Sequence, residues 1–230
     1  MGNFKGKIMI TIYFEDKHLV VCKKPYGVKS QSGNGENMID LLSSQLGCDI
    51  YPVHRLDAIT EGVMVYAKTE KMAGLLSSMI SARDITKEYL AVCYGVTEKE
   101  GEMTDFLFHD RIKNKSFVVD KKRGGSKEAK LEFCTLGTAF LKNSKEISLV
   151  KIRLLTGRTH QIRVQFSYRG NMLYGDGKYG ASDNDRIALY SYHLCFVHPV
   201  TKVKIDIYSF PKGGAWEHFE DELTELEANA

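Results

Sequence analysis

The chain has 230 residues, 43% of them hydrophobic, and a net charge of +3. That length suits one large domain or two small ones with a proper core, and no apolar run approaches the roughly 18 residues of a membrane span. Five cysteines (Cys22, Cys48, Cys93, Cys134, Cys195) are widely spaced without a C-x-x-C, which excludes a disulfide scaffold and points to free thiols in a reducing cytoplasm.

In chain order, "KIMITIYFE" alternates Ile8, Ile10 and Ile12 as a half-buried strand does, and "HLVVCKK" follows it as a second strand. "NMIDLLSSQLG" places Met38, Ile39, Leu41, Leu42 and Leu46 at helical spacing, closed by Gly47. "GVMVYAK" reads as a strand, and "TEKMAGLLSSMI" as a helix with Thr69 as N-cap and Met72, Leu75, Leu76, Met79 and Ile80 on one face. "EYLAVCYG", "LEFCTL" and "EISLVKIRL" are rich in β-branched and aromatic residues. "THQIRVQFSYRG" predicts a helix from Thr159 as N-cap to a stop at Gly170. "LYSYHLCFVH" and "KVKIDIYSF" complete the strands. Strands in runs, with helices between some of them, argue an α+β fold with a large mixed or antiparallel sheet flanked by helices. Residues 1–215 are expected to form the main domain, and 216–230 an acidic tail able to form a short helix. With no N-terminal apolar block free of charge, neither a signal peptide nor an anchor is expected.

Charge is unevenly spread. The last fifteen residues carry six acids and no Lys or Arg, so with +3 for the whole chain, residues 1–215 hold +9. The stretch 111–130 holds eight basic residues and two acids, with Lys121, Lys122 and Arg123 in a row. A basic body suits an enzyme acting on nucleic acid, because phosphate contacts supply most sequence-independent affinity. A solvated lysine-rich hairpin would look the same.

Candidate chemistry narrows by elimination. The seven histidines show no metal-binding spacing, and His193 and His198 lie at odd separation along one predicted strand, so no metal is expected. "GNGENM" and "GDGKYG" match no phosphate-binding loop and read as turns, and no G-x-S-x-G elbow occurs. What remains is Asp57 in "HRLDAITEGV", a carboxylate between Arg55 and an apolar strand, and the arginines of "TGRTHQIRVQF". Arg158 precedes the predicted helix. Arg163 lies within it, on a polar or cleft-facing side, since its neighbours four apart are Thr159 and Ser167. An Asp57–Arg163 pair across a cleft would serve either as structure or as an oriented, ionised carboxylate for nucleophilic or sugar chemistry.

"HRLDAITEGV" resembles the His-Arg-Leu-Asp-x-x-Thr-Ser-Gly signature of the RluA-type RNA pseudouridine synthases. "KKPYGV" (23–28), "KEYLAVCYG" (87–95), "TGRTHQIRVQF" (156–166), "GNMLYGDGKYG" (170–180) and "LCFVHPVT" (194–201) follow in the order of that family, so the resemblance covers roughly residues 8–210. It implies the pseudouridine-synthase fold with a central active-site cleft, and isomerisation of uridine in RNA. It also implies no cofactor, because the base never leaves and no redox change occurs. Asp57 matches the catalytic aspartate, and its route, attack on base or sugar or a glycal path, stays open. Tyr89 matches the tyrosine that packs on the target base, with proton transfer as a second role left open. Arg163 matches the arginine that pairs with the aspartate, Leu189 an apolar residue of the base pocket, and Arg55 a residue that fills the stack vacated by a flipped base. His54 and Arg158 flank these positions, and with Lys121, Lys122 and Arg123 they are the expected RNA contacts.

Three departures from the pattern stand out. Ala58 replaces a residue that is often charged, Glu61 replaces the usual serine, and Tyr190 stands where histidine is common after Leu189. The first two sit beside Asp57 and put substrate contacts in question. No room is left for an N-terminal S4-like domain, so the catalytic domain is expected to select the target itself. The resemblance thus implies a cytoplasmic, monomeric RNA-modifying isomerase, with ribosomal RNA ahead of transfer RNA as substrate. A lapsed RNA-binding or RNA-folding module and a carbohydrate-active hydrolase are the alternatives. The intact Asp57, Tyr89 and Arg163 oppose the first; the missing second acid opposes the other.

Overall fold

The computed structural model describes residues 8–120, 124–183 and 185–230. The strands are β1 (Ile12–Glu15), β2 (Leu19–Lys24), β3 (Tyr51–Pro52), β4 (Glu61–Ala67), β5 (Thr86–Tyr94), β6 (Glu100–Asp110), β7 (Lys115–Val119), β8 (Ser126–Phe140), β9 (Glu146–Leu154), β10 (Leu189–Val197) and β11 (Lys204–Tyr208). The helices are α1 (Met38–Leu46), α2 (Glu70–Ala82), α3 (Gln161–Tyr168) and α4 (Glu220–Ala228). One mixed sheet runs β1-β2-β4-β10-β5-β9-β8-β6-β7, with β3 on β4 and β11 on β10. The fold is the expected α+β type, and no described helix is long and apolar enough to cross a membrane.

Both faces of the sheet are covered, which explains why its central strands read as near-continuous apolar runs. On one face Val20, Cys22, Met64, Tyr89, Ala91 and Cys93 pack with Met38 and Leu42 of α1 and Ile162 and Phe166 of α3. The alternate residues Leu19, Val21, Val63 and Val65 meet Met72 and Leu76 of α2 on the other face. Farther along that face Leu90, Val92 and Tyr192 meet Trp216, Phe219 and Leu223. The acidic C-terminal segment is thus docked by its apolar stripe; Glu222 lies over Gly137 of β8 while Glu217, Glu220, Asp221, Glu225 and Glu227 are exposed, and the segment is helical from Glu220 to Ala228.

Local expectations hold where a side chain caps a helix. Thr69 Oγ1 accepts from Met72 N–H at 3.2 Å, and Asn37 Oδ1 accepts from Asp40 N–H at 3.0 Å. Two expectations fail for identifiable reasons. "KIMITIYFE" yields strand only from Ile12, because the main-chain N–H and C=O of Ile10 are taken by the side-chain amide of Gln45. At α3 the N-cap is His160 in a left-handed conformation, φ 57°, and not Thr159. The Thr159 carbonyl accepts from Ser116 Oγ, and Gln161 Oε1 turns back to accept from Arg158 N–H. Of the two settings open to Arg163, polar or cleft-facing, the fold gives the cleft: Gln161, Arg163 and Gln165 are buried along with Ile162, Val164 and Phe166, and Arg163 reaches Asp57. Strands β6 and β7 carry no clear alternation and went unread; in β6 only Met103 and Leu107 are buried.

The sheet's middle depends on one close approach. Strand β10 runs parallel to β4 at Tyr190–Glu61 and Ser191–Gly62, then passes to β11 from His193 onward. Gly62 adopts φ +121°, and a Cβ there would lie 2.1 Å from the Ser191 carbonyl oxygen. Only glycine meets both demands. Gly62→Ala is expected to lower unfolding stability by at least about 3 kcal/mol, through backbone strain plus overpacking. Urea denaturation checks this, and a loss under about 1 kcal/mol would show that β4 and β10 can part without cost.

Candidate active site

The loop between β3 and β4 carries Asp57, and three side chains brace it. Lys24 is fully buried, and its ammonium donates to the carbonyls of Pro25, Ala58 and Thr60 at 2.9, 2.9 and 2.8 Å. All three donors are satisfied, and burial lowers its pKa to about 8. Ser30 Oγ donates to the Leu56 carbonyl at 2.6 Å and accepts from Leu56 N–H at 2.9 Å. His54 Nε2 accepts from Val65 N–H at 3.1 Å, and burial pushes its pKa down to about 3, so the ring is neutral. The sequence marked His54 for substrate; its ring does line the cavity, but one nitrogen is committed to the backbone.

Helix α3 brings Arg163 to Asp57. The guanidinium donates from Nη1 to Asp57 Oδ2 at 2.9 Å. Its other edge donates from Nε and Nη2 to the two oxygens of Asp176, each at 2.7 Å. Arg163 and Asp176 are buried, and the two carboxylates with their hydrogen bonds raise the arginine's pKa despite desolvation. Asp57 keeps Oδ1 without a hydrogen-bond partner among the described residues. His160 Nε2 stands 3.6 Å from Asp57 Oδ2. Its Nδ1 is 3.0 Å from the Tyr179 hydroxyl, which itself accepts from Ser116 N–H. Desolvation, partly offset by Asp57, lowers the His160 pKa to about 4, so it faces the aspartate as a neutral ring. Tyr179 also stacks under the Arg163 guanidinium, 5.1 Å from ring centre.

Two cavities meet at Asp57. One, of about 440 Å³, is lined by His54, Arg55, Asp57, Tyr89, Arg158, Arg163 and Leu189 among others. The second, of about 480 Å³, shares Arg55, Asp57, His160 and Arg163 and extends to Lys29 and Lys178. Seven sequence-predicted residues therefore converge. Tyr89 and Leu189 are buried on neighbouring strands, and burial raises the Tyr89 phenol's pKa, keeping it protonated. Arg158 is tethered by Nε to the Glu128 carbonyl at 2.7 Å. Lys121, Lys122 and Arg123 lie outside the described residues.

Sequence reasoning missed Asp176, which sits in the "GDGKYG" stretch read as a turn, and it missed His160, Tyr179 and Lys24. An acid in a turn carries no spacing signal for a partner 13 residues away. Two expectations need correcting. Glu61 and Tyr190 line neither cavity. Instead Lys23 lies between them, 3.7 Å from Glu61 and 5.4 Å from the Tyr190 ring centre, so these departures accommodate one another away from both cavities. The histidine argument also fails in detail. His198 falls beyond β10, and the folded chain gathers His193, Cys195 and Asp206 within metal-binding distance of one another. His193 is already clamped, by Glu88 at 2.7 Å and Asp206 at 2.8 Å, and these carboxylates raise its pKa against desolvation.

An aspartate with one oxygen pinned and one free, between a protonated tyrosine and a cationic wall, fits chemistry on a nucleotide's sugar or base. Comparison with known proteins agrees. Residues 18–168 match the family described as RNA pseudouridylate synthase. The chain is 33% identical over 223 residues to the ribosomal large subunit pseudouridine synthase D of Zymomonas mobilis subsp. mobilis, covering 86% of this chain and 68% of that one. It is 29% identical over 227 residues to the dual-specificity RNA pseudouridine synthase RluA of Vibrio cholerae, covering 93% and 90%. The fold matches the solved structure of human RNA pseudouridylate synthase domain containing 1 with a TM-score of 0.76 at 20% identity, over 100% of this chain and 98% of that one. With its fold, its ordered motifs and two thirds of its length in agreement, the chain belongs to the RNA pseudouridylate synthases, isomerases that convert uridine in RNA to pseudouridine.

Proposed function

We propose that this chain isomerises specific uridines in structured RNA, ribosomal RNA ahead of transfer RNA, with Asp57 as the catalytic carboxylate. The observation that carries the reading is the Asp57 side chain, fixed through Oδ2 by Arg163 and open at Oδ1, in a cavity walled by Tyr89 and Leu189. The N1–C1′ bond breaks, the uracil turns while held, C5 bonds to C1′, and the C5 proton is replaced by one on N1. The sum is redox-neutral and needs no leaving group, so one carboxylate suffices. Hydrolysis of a glycoside would need a second acid. Asp176, joined to Asp57 through Arg163, is buried and committed to Nε and Nη2 of that arginine. Tyr89 packs against the base, Leu189 shapes its pocket, and Arg55, exposed at the junction of the two cavities, takes the place of the flipped base. Flipping costs a few kcal/mol, offset by cationic contacts to the backbone. The ribosomal preference draws on the Zymomonas relative, a ribosomal large subunit pseudouridine synthase. The enzyme works as a cytoplasmic monomer, consistent with five unpaired cysteines.

Asp57→Asn is expected to lower tritium release from 5-³H-uridine RNA by at least about 10³-fold while RNA binding persists; turnover near wild type would remove Asp57 from the mechanism. Parallel assays on ribosomal and transfer RNA transcripts test the preference, and faster release from transfer RNA would reverse it. Asp176→Asn leaves Arg163 half-paired in a buried site, so stability should fall by about 3 kcal/mol and kcat should drop with it; unchanged kcat would show that Arg163 holds Asp57 unaided. Replacing Lys121, Lys122 and Arg123 by alanine should weaken RNA binding and flatten its salt dependence, and an unchanged slope would leave that segment a solvated hairpin.

A further inference from the structure

The cavity beside Asp57 contains a cation that the roles above leave unused. Lys87 stands two residues before Tyr89 on β5, so both side chains leave the same face of the strand, about 7 Å apart along it. Both line the 440 Å³ cavity. Among the described residues the Lys87 ammonium makes no hydrogen bond and no ion pair. By contrast, the most deeply buried cations are paired: Lys24 has three carbonyls, Arg163 two carboxylates, and Lys68 has Glu15. Burial lowers the Lys87 pKa without a compensating partner. Facing it is Gly157, where an added Cβ would stand 4.0 Å from Nζ, so no side chain fills the space before the ammonium. Arg55, Arg83 and Arg158 share the same wall, against a single acid, Asp57, which Arg163 already holds.

We infer that Lys87 is an anion anchor whose partner is a phosphodiester next to the target uridine. The inference rests on the proposed RNA substrate. With the base against Tyr89 and the sugar at Asp57, one side of the strand runs along the wall where Lys87 and Gly157 meet, while the second cavity, toward Lys29 and Lys178, takes the other side. A partly desolvated ammonium there gains more from a phosphate than an exposed lysine does, because water competes less for it. The bare Gly157 backbone gives the phosphate room. Lys87 thereby acts as a positioning residue: it fixes the strand's path and lets the flipped nucleotide seat in one register.

The test compares wild type, Lys87→Met and Lys87→Arg on a ribosomal RNA transcript. Filter retention across a salt series reads binding, and tritium release reads turnover. Lys87→Met should reduce the log–log salt slope by about 0.7 to 0.9, the share of one phosphate contact. It should also raise KM about tenfold, with the loss mainly in KM, as expected of one charge-assisted contact. Lys87→Arg should restore the slope. Because no protein partner is lost, Lys87→Met should melt no lower than wild type. An unchanged slope in Lys87→Met, or a lowered melting point with binding not restored by arginine, would overturn the inference and make Lys87 a structural residue. If wild type releases no tritium while Lys87→Met still flattens the slope, the anchor stands and the proposed reaction falls.

Discussion

A buried guanidinium shared by two carboxylates organises this molecule. Arg163 commits its Nε and Nη2 edge to Asp176 and a single nitrogen to Asp57. The asymmetry is the useful part. Asp176 receives the strong side-on pair, which locks the arginine's plane and rotamer. Asp57 receives one bond and keeps an oxygen for other business. A symmetric clamp on Asp57 would have bound it as firmly as Asp176 and left nothing to react. The group carries one positive charge against two negative ones, in a place where removing a partner strands a charge out of water.

Around that group, polar side chains are kept neutral or fully bonded. His54 and His160 sit near cations and far from bulk water, and each is held well below its ordinary pKa. The Tyr179 hydroxyl accepts from Ser116 N–H, reaches the Ser116 carbonyl at 3.3 Å as a donor, and stands 3.0 Å from His160 Nδ1, so it ties the imidazole to the β7 backbone. Lys24 is the counterpart beneath the loop, a buried ammonium that trades water for three carbonyl oxygens. Its charge therefore shapes the chain from Pro25 to Thr60 instead of pairing with an acid.

Much of this was legible in the residues. Period-two patterning placed eight strands, and spacing placed three helices, because sheets and helices that bury one stripe must repeat it. Asp57, Tyr89, Arg163 and Leu189 were legible only as members of ordered motifs; composition alone went no further than an Asp–Arg pair. What stayed hidden is what depends on tertiary approach. Asp176 looks like a turn residue, since a glycine on either side says turn and nothing says which arginine lies above. Thr159 and Ser167 beside Arg163 left a polar or a cleft-facing side open, and only the fold, which buries α3 from Gln161 to Phe166 and turns Arg163 to Asp57, decides for the cleft. The cap at His160 was missed because Ser116, 43 residues earlier, captures the Thr159 carbonyl. Ala58 and Glu61 looked like changes at the site; Ala58 does line the second cavity, whereas the register of β4 against β10 sets Glu61 beside Tyr190 and Lys23 instead.

The short parallel join between β4 and β10 bears on when the site can exist. Asp57 and Arg163 are 106 residues apart in sequence, and the Ser191 hydroxyl reaches the Val63 carbonyl across 128. Such distant contacts form late, since the loops they close must be ordered before the contacts repay them. On a growing chain, everything up to Arg163 and Asp176 can be made while the strand that seats between β4 and β5 is still missing. The cavity beside Asp57 lacks its Leu189 wall until that strand arrives. The cavity beside Asp57 is therefore walled on all its sides only once β10, Leu189–Val197, has been made and has found its place between its two neighbours.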